Sequence, residues 1–323
     1  MMARIIRLAL VAAFALLVFF AGCSRKERTK GHDYRSIEYF DQCVSHQFTI
    51  GSLPYEQLPN IGTSVQWLKD TSLLTDVDGV PLAEYKGKHY YHPVGLCHMG
   101  YSLLASFRKS NDSTHLALLL KYIDRLIAES DEFDGAVYYP YKIKYKVHGM
   151  TEGLLAAPWY SGMAQGEILG LLTRTFEVTQ DSTYLDYAHK TFNSFLRIQG
   201  EAEPWTVFVD TSGCYWVEEY PVWEPSMTLN GFIFAMYGLY DYYALTRSPE
   251  AKRVLSDCLS TVKNYVPLFR RPGKPSFYGL RFRHWSQEYH LIHIAQLRQL
   301  YRITLDPFFM DMADSLKVDF YQE

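Results

Sequence analysis

The sequence predicts a mainly α-helical protein. The expected fold is an (α/α) toroid of about four helical hairpins, an incomplete α/α barrel, with inserted β-hairpins. Two observations predict this class. A long apolar helix, a short polar turn and an amphipathic helix follow one another four times, at intervals of about 60 to 70 residues. Segments between these units alternate apolar and polar residues, as β-strands do. An irregular helical array without a central cleft is the alternative.

Each predicted hairpin turns at a short polar segment, at residues 110–113, 179–182, 246–249 and 304–307. Asp and Ser accept hydrogen bonds from the free N–H groups that start a helix, and Pro fits the first helical turn. The second helices are therefore expected to begin after four N-cap residues, Asp112, Asp181, Ser248 and Asp306. We expect these turns on one face of the ring and the β inserts on the other.

Two inserts alternate like β-hairpins, at residues 135–147 and at residues 207–220 around a turn at 210–213. Ahead of the toroid, residues 37–90 are expected to form an N-terminal extension that packs on it. Its Asp-Val-Asp-Gly segment at 76–79 predicts a turn between short strands. A calcium loop is disfavoured there, because the glutamate that an EF-hand requires does not follow.

Residues 1–22 predict a bacterial lipoprotein signal peptide, with a basic start, an apolar run and small residues before Cys23. Phe20 replaces the leucine usual in such a motif, so an ordinary signal peptide or an uncleaved anchor is the alternative. We expect Cys23 to carry the lipid, residues 23–36 to form a tether and residues 91–323 to form the toroid. These features predict a lipid-anchored protein of the bacterial cell envelope.

The composition, 48% hydrophobic and 21% charged, is that of an ordinary folded protein. A net charge of −3 gives no electrostatic basis for binding nucleic acid. The 26 tyrosines suit a sugar-binding cleft, because each ring offers a flat apolar face and a hydroxyl. Apart from Cys23, the cysteines show no metal-ligand spacing. One disulfide is allowed in an oxidising compartment, but buried thiols are favoured for Cys43, Cys97, Cys214 and Cys258.

Three clusters carry candidate chemistry. The first, residues 159–166, places two aromatic residues before a helix that opens with small residues. Its exposed N–H groups suit an anion, although close helix packing explains the glycines equally well. In the second, Glu218 and Glu219 are adjacent at a strand end, so they are expected to point to opposite faces, one to solvent and one to a cleft beside Tyr220.

The third cluster, residues 277–293, concentrates arginine, tyrosine and histidine. Strand alternation would place Arg281 and Arg283 on one face, where they could clamp a carboxylate. His290 and His293 are spaced for one helix face, but no metal-ligand pattern accompanies them. We therefore expect no metal and no cofactor.

These motifs resemble the D-glucuronyl C5-epimerases. The segments WYSGMAQGE at 159–167, VEEYP at 217–221, LNGF at 229–232, FYGLR at 277–281 and EYHLIHIAQL at 288–297 occur in that family's order and approximate spacing. The resemblance covers about residues 90–320 and implies the family's helical toroid. Two features depart from it. Residues 24–90 are too few for the β-rich domain of the animal members, and the family's Arg-Trp-Asp stretch is altered at 284–288.

The resemblance implies an acid/base pair of Glu219 and Tyr289, with Tyr220 as a helper. It implies Arg281 as the carboxylate clamp, with Arg283 as the weaker candidate. An arginine near the tyrosine would lower the pKa of a tyrosine that acts as a base. Sugar contacts are predicted for five further residues, Tyr160, Gln165, Asn230, Tyr278 and His290.

C5 epimerisation removes a proton α to a carboxylate and returns one to the opposite face, which requires such a clamp and two acid/base groups. The predicted substrate is a uronic-acid polysaccharide such as heparosan, with D-glucuronate converted to L-iduronate. A homodimer is compatible with the family. A uronate polysaccharide lyase on the same fold and a non-catalytic, lipid-anchored glycan-binding protein are the alternatives.

Overall fold

The structure is a computed structural model that describes residues 39–62, 65–70 and 72–321. The predicted signal peptide, Cys23 and the tether lie outside the described residues. Within the described ranges, no helix is long and apolar enough to cross a membrane.

Eight α-helices in the described part of the chain form four consecutive hairpins. The first two hairpins are α1 (Pro93–Ser110) with α2 (Ser113–Ala128), and α3 (Gly162–Thr179) with α4 (Ser182–Asn193). The last two are α5 (Leu229–Thr246) with α6 (Pro249–Phe269), and α7 (Gln287–Thr304) with α8 (Pro307–Asp319). First helices of successive hairpins pack side by side in an inner layer, and each second helix covers its partner from outside. The predicted toroid class is confirmed.

The four helical turns share one construction. The first helix of each hairpin ends in a left-handed residue, with φ of 55°, 58°, 55° and 56° at Asn111, Gln180, Arg247 and Leu305. The following residue caps the second helix by accepting a backbone N–H, and these caps are Asp112, Asp181, Ser248 and Asp306. The predicted N-caps are confirmed.

Inner helices α3 and α5 run parallel and almost touch. A β-carbon on Gly166 would lie 2.2 Å from Cα of Ala235, and one on Gly238 would lie 1.7 Å from the carbonyl oxygen of Gly166. Close packing therefore accounts for Gly166. Further along both helices, Arg174 pairs with Asp241 at 2.8 Å. Because successive contacts advance in the same direction, the hairpin turns gather at one end, the turn end. The N-termini of the inner helices lie at the other, the cleft end.

The inserts form short antiparallel pairs. Three are hairpins, β1 (Ala83–Tyr85) with β2 (Lys88–Tyr90), β3 (Asp131–Phe133) with β4 (Ala136–Tyr138), and β9 (Val207–Val209) with β10 (Tyr215–Val217). In a fourth insert, β5 (Pro140–Tyr141) pairs with β8 (Trp159–Tyr160), and β6 (Tyr145–Lys146) pairs with β7 (Leu154–Leu155). The hairpin around 210–213 is confirmed. The single hairpin expected at 135–147 is wrong, because Gly135, with φ of 76°, turns the chain between β3 and β4.

The N-terminal extension crosses the turn end of the inner helices. The N–H of Gly51 donates to the carbonyl of Ile303 at 2.8 Å, and the N–H of Leu53 donates to the hydroxyl of Tyr240 at 3.0 Å. Farther along, Arg174 donates to the carbonyl of Pro59 at 2.7 Å. The ring of Tyr55 also contacts Arg108 of α1, so the extension links all four hairpins.

A disulfide joins Cys43 of the extension to Cys214, which follows the turn of the β9–β10 hairpin. The expectation of buried thiols is therefore wrong for this pair, and it is right for Cys97 and Cys258, which are free and buried. The two bonded cysteines lie 171 residues apart, so their proximity arises from the packing of the extension on the toroid.

Candidate active site at the cleft end of the toroid

Glu219 lies just beyond β10, against the first turn of α5. Its side chain is nearly buried, with 7% of the residue exposed. A β-carbon on Gly231 would lie only 2.2 Å from Oε2 of Glu219. Glycine at this place therefore makes the space in which the carboxyl group sits.

Two tyrosines surround this carboxyl group. The hydroxyl of Tyr278 donates to Oε2 of Glu219 at 3.0 Å, and the hydroxyl of Tyr220 lies 3.4 Å from that of Tyr278. Burial raises the pKa of Glu219 to about 7, although hydrogen bonds from Tyr220 and Tyr278 lower it. Near neutral pH the group is therefore able both to take and to return a proton.

Tyr289, in the first turn of α7, contacts Tyr278. The centroids of these two rings are 4.3 Å apart. Burial, and then the charge of Glu219, raise the pKa of Tyr289 above its ordinary value. The expectation of a lowered pKa is therefore wrong, since burial outweighs the other influences on this hydroxyl. At neutral pH Tyr289 is protonated and is a proton donor.

Glu218 does not face solvent, contrary to expectation. It is fully buried, and its carboxylate accepts hydrogen bonds from the N–H and hydroxyl of Ser226 and from the N–H of Met227, at 2.8 to 3.0 Å. Burial raises its pKa to about 7. The loop after β10 folds back over the strand end and so encloses both glutamates. Glu218 ties that loop down.

An aromatic wall extends from this site along the inserts. The rings of Tyr141 and Trp159 stack at 4.2 Å, and the ring of Tyr145 lies 5.7 Å from that of Tyr220. Tyr141 and Trp159 are buried in this stack, whereas Tyr145 and Tyr220 are partly exposed and offer flat faces that suit the C–H faces of a sugar ring. Trp159 belongs to the first sequence cluster, but Tyr145 was missed.

Three predicted sugar-binding residues are held elsewhere. Tyr160 follows Trp159 in β8 and points the opposite way, with its hydroxyl bound to Asp131 at 2.9 Å. The buried amide of Gln165 bonds to the backbone of residues 137 and 139 and to Ser194. These two predictions are corrected, because protein groups occupy the polar atoms of both side chains.

His290 is the third of these residues. Its Nδ1 accepts from the N–H of Ser276 at 2.9 Å, and its Nε2 lies 2.7 Å from the carbonyl of Phe320. The ring is buried, and both its nitrogens are bonded within the protein. Nδ1 of His293 lies 2.8 Å from the hydroxyl of Ser276 and forms a hydrogen bond with it. The histidine pair therefore anchors the start of the third cluster to α7.

The two arginines do not form one clamp. The expected strand from 277 to 283 is a turn, in which the N–H of Arg283 donates to the carbonyl of Gly279 at 3.1 Å. This local bond interrupts strand alternation, so the arginines do not share a strand face. Arg281 instead forms an ion pair with Glu224 and donates to its carbonyl oxygen at 2.6 Å. Arg283 lies over the ring of Phe277.

Asn230 stays close to the site. It precedes Gly231 in the first turn of α5 and is 2% exposed. Within the described residues, its side-chain Oδ1 is buried and has no hydrogen-bond partner. Its role in binding sugar stays a prediction.

Two histidines beside the tyrosines were given no role from the sequence: His148 was missed, and His284 was noted only as a member of the third cluster. The rings of His148 and His284 stack at 4.6 Å, and the ring of His148 meets that of Tyr278 edge-on at 5.2 Å. His148 precedes a glycine, and this His-Gly pair was the one local signal of an unusual backbone. Its approach to Tyr278 depends on how the β6–β7 insert folds over the cleft end.

Comparison with known proteins agrees with this arrangement. Residues 134–317 match the family described as D-glucuronyl C5-epimerase C-terminus. The chain belongs to this family. The matched region contains Glu219, Tyr220, Tyr278 and Tyr289, and it also contains the His148–His284 pair.

Two relatives are similar to this chain in sequence. The chain is 29% identical over 182 residues to a D-glucuronyl C5-epimerase of Caenorhabditis elegans, covering 50% of this chain and 29% of that protein. It is 25% identical over 194 residues to an uncharacterized protein of Methanocaldococcus jannaschii, covering 59% of this chain and 61% of that one. This chain thus spans less than two thirds of either relative.

Cellobiose 2-epimerases share the fold. The Bacillus thermoamylovorans enzyme superposes with a TM-score of 0.56 at 11% identity, over 76% of this chain and 65% of its own. The Spirochaeta thermophila enzyme gives 0.52 at 13% identity, over 76% and 63%. Identities this low concern the fold alone.

Proposed function

We propose that this protein is a carbohydrate epimerase that inverts C5 of uronic acid residues in a polysaccharide, converting D-glucuronate to L-iduronate. The observation that carries the proposal is the buried carboxyl group of Glu219, with its pKa raised to about 7 and its link through Tyr278 to Tyr289. Family membership supports the same reaction.

Glu219 is the proposed base. A proton α to a carboxylate is weakly acidic, so the base needs an affinity for protons well above that of an exposed glutamate. Burial supplies this affinity by destabilising the ionised carboxylate. The C5–H bond breaks and the proton moves to Glu219. The electron pair of the broken bond delocalises into the substrate carboxylate.

Tyr289 is the proposed acid for the opposite face of the sugar. Its raised pKa keeps the hydroxyl protonated, so it can form the new C5–H bond and become a phenolate. Glu219 is then protonated and Tyr289 ionised. Tyr278 contacts both Glu219 and Tyr289 and offers a route for the proton that restores both groups. In the reverse direction the two roles are exchanged.

A polymeric substrate is supported by the partly exposed ring of Tyr145, which lies 5.7 Å from that of Tyr220 and so continues the aromatic surface beyond the reacting groups. Attachment through Cys23 at the cell envelope remains a proposal. The Cys43–Cys214 disulfide supports it, because such bonds persist in oxidising compartments.

The deciding experiment is incubation with a glucuronate-containing polymer in deuterated water. We expect deuterium at C5, iduronate in the product and no new chain ends. Glu219→Gln and Tyr289→Phe should each abolish net inversion, while one of them continues to exchange label with retention. Chain cleavage with an unsaturated end would identify a lyase instead, and binding without exchange or cleavage would identify a binding protein.

A further inference from the structure

We propose that His148 and His284 form the site that binds the carboxylate of the uronate. This inference rests on the proposed function, since it names the groups that recognise the acid in the substrate. Abstraction of the C5 proton leaves an intermediate with two negative charges beside buried Glu219. Hydrogen-bond donors must therefore lie close to the place where that charge develops.

Arg281, the clamp that the family resemblance implies, is already engaged. Arg281 is bound to both the carboxylate and the carbonyl oxygen of Glu224. A substrate carboxylate at Arg281 would have to displace this partner. Arg283 is exposed and lies over Phe277.

The histidines lie one tyrosine away from the base. Tyr278 donates to Glu219 at 3.0 Å, and the ring of His148 meets the ring of Tyr278 at 5.2 Å. His284 stacks on His148 and also lies 6.4 Å from the ring of Tyr278, and the ring of Phe282 lies 5.8 Å from that of His148. The histidine pair and the proposed base therefore contact the same tyrosine, and a carboxylate bound by the imidazoles would lie at the same end of the toroid as Glu219.

The backbone at His148 is strained. Its φ is 51°, a left-handed conformation that is costly for a residue with a β-carbon. The following Gly149, with φ of 74°, takes the same hand without cost. Left-handed non-glycine residues also end four helices of this chain, so the conformation fixes the direction of the His148 side chain without by itself marking a ligand site.

Neutral donors also suit a base with a high pKa. Burial and the neighbouring His284 lower the pKa of His148 to about 3, and partial desolvation lowers the pKa of His284, which is exposed at the surface. Each ring is therefore neutral and retains one N–H donor. A permanent cation in the same place would stabilise ionised Glu219 and weaken it as a base. The charged groups that act most strongly on Glu219 are instead Glu218 and Glu167.

The test compares two probes on the full chain carrying Glu219→Gln, which prevents turnover. One probe is a glucuronate-containing hexasaccharide, and the other is the same sugar with its carboxylates reduced to alcohols. We expect His148→Asn to weaken binding of the uronate probe by about 10-fold to 100-fold, and of the reduced probe by less than about twofold. Asparagine is chosen because it tolerates a positive φ.

His284→Gln serves as a second variant with an ordinary backbone requirement and should act in the same direction. His115→Gln, at the start of α2 on the turn end, is the matched control and should leave both affinities unchanged. Retention of the preference for uronate in both histidine variants would overturn the proposal. So would loss of that preference in Arg281→Ala alone, or absence of binding by the uronate probe.

Exchange of deuterium at C5 is measured separately with Glu219 intact. If deuterium exchange occurs and the histidine variants keep the full preference for the uronate probe, the histidine site is wrong and the epimerase proposal stands. If the preference for the uronate probe depends on His148 but no deuterium exchange occurs, the epimerase proposal fails and the carboxylate site stands.

Discussion

Oε2 of Glu219 occupies the space into which a side chain at residue 231 would project, since a β-carbon on Gly231 would lie 2.2 Å away. The first turn of α5 and the loop after β10 are therefore matched atom to atom. The position of the proposed base depends on a glycine in another element.

Gly231→Ala is accordingly expected to displace Glu219 and to lower kcat for C5 exchange by about 100-fold, because small misplacements of a reacting group are costly. The protein should still fold, with a loss of stability of about 1 to 3 kcal/mol from overpacking. Deuterium exchange and thermal unfolding measure the two effects. Gly95→Ala is the matched control in the first turn of α1, where the added carbon makes ordinary contacts. Equal activity of the two variants would contradict the placement of Glu219.

The rate of exchange should rise with pH through about 7, because the pKa of Glu219 is raised to that value and the ionised form is the base. The free energy of unfolding should change in the opposite sense. Glu218 and Glu219 bind protons more tightly when folded, so stability is greatest below their unfolded pKa and falls as pH rises towards 7. Profiles of kcat and of chemical denaturation against pH measure both slopes. A rate that is flat between pH 5 and 8 would argue against this base.

Tyr278→Phe removes the hydrogen bond that lowers the pKa of Glu219. We expect the rising limb of the pH profile to move to higher pH, and kcat to fall because the link to Tyr289 is lost. Tyr138→Phe is the control, since that buried hydroxyl bonds to the carbonyl of Pro204 instead. An unchanged profile in Tyr278→Phe would show that the hydroxyl has no part in setting this pKa.

Arg281 and Glu224 are expected to act as one unit that joins two loops at the cleft. Glu224 is 73% exposed at its side chain, so the pair should contribute less than about 1 kcal/mol to stability. Arg281→Ala and Glu224→Ala should have similar effects on KM, and the double variant should add little. A double-mutant cycle measures this coupling. Selective loss of uronate binding in Arg281→Ala would instead support Arg281 as the clamp that the family resemblance implies.

Reduction of the Cys43–Cys214 disulfide should lower stability by about 2 to 5 kcal/mol, because it frees the extension from the toroid in the unfolded chain. Thermal unfolding with and without reductant measures the loss, and Cys214→Ser should abolish the difference. Cys258→Ala keeps the disulfide and should retain the sensitivity to reductant. Equal melting of the oxidised and reduced protein would contradict a stabilising role.

Local chemistry made the helical architecture predictable. Asp112, Asp181, Ser248 and Asp306 cap the helices that follow them, because capping involves atoms only two or three residues apart. Glu219, Tyr220, Tyr278 and Tyr289 were found through motifs, and the structure brings them together at the cleft end.

Contacts between distant segments were decided by the tertiary structure. Whether Glu218 meets solvent depends on a loop that returns at Ser226, and the partner of Arg281 depends on where Glu224 lies. The pairing of Cys43 with Cys214 and the approach of His148 to Tyr278 likewise join segments far apart in sequence. Periodicity and capping report a residue's own element, whereas burial, ion pairing and pKa depend on which other elements pack against it. The sequence alone therefore determined the repeated hairpins, and their packing decided the environment of the proposed base.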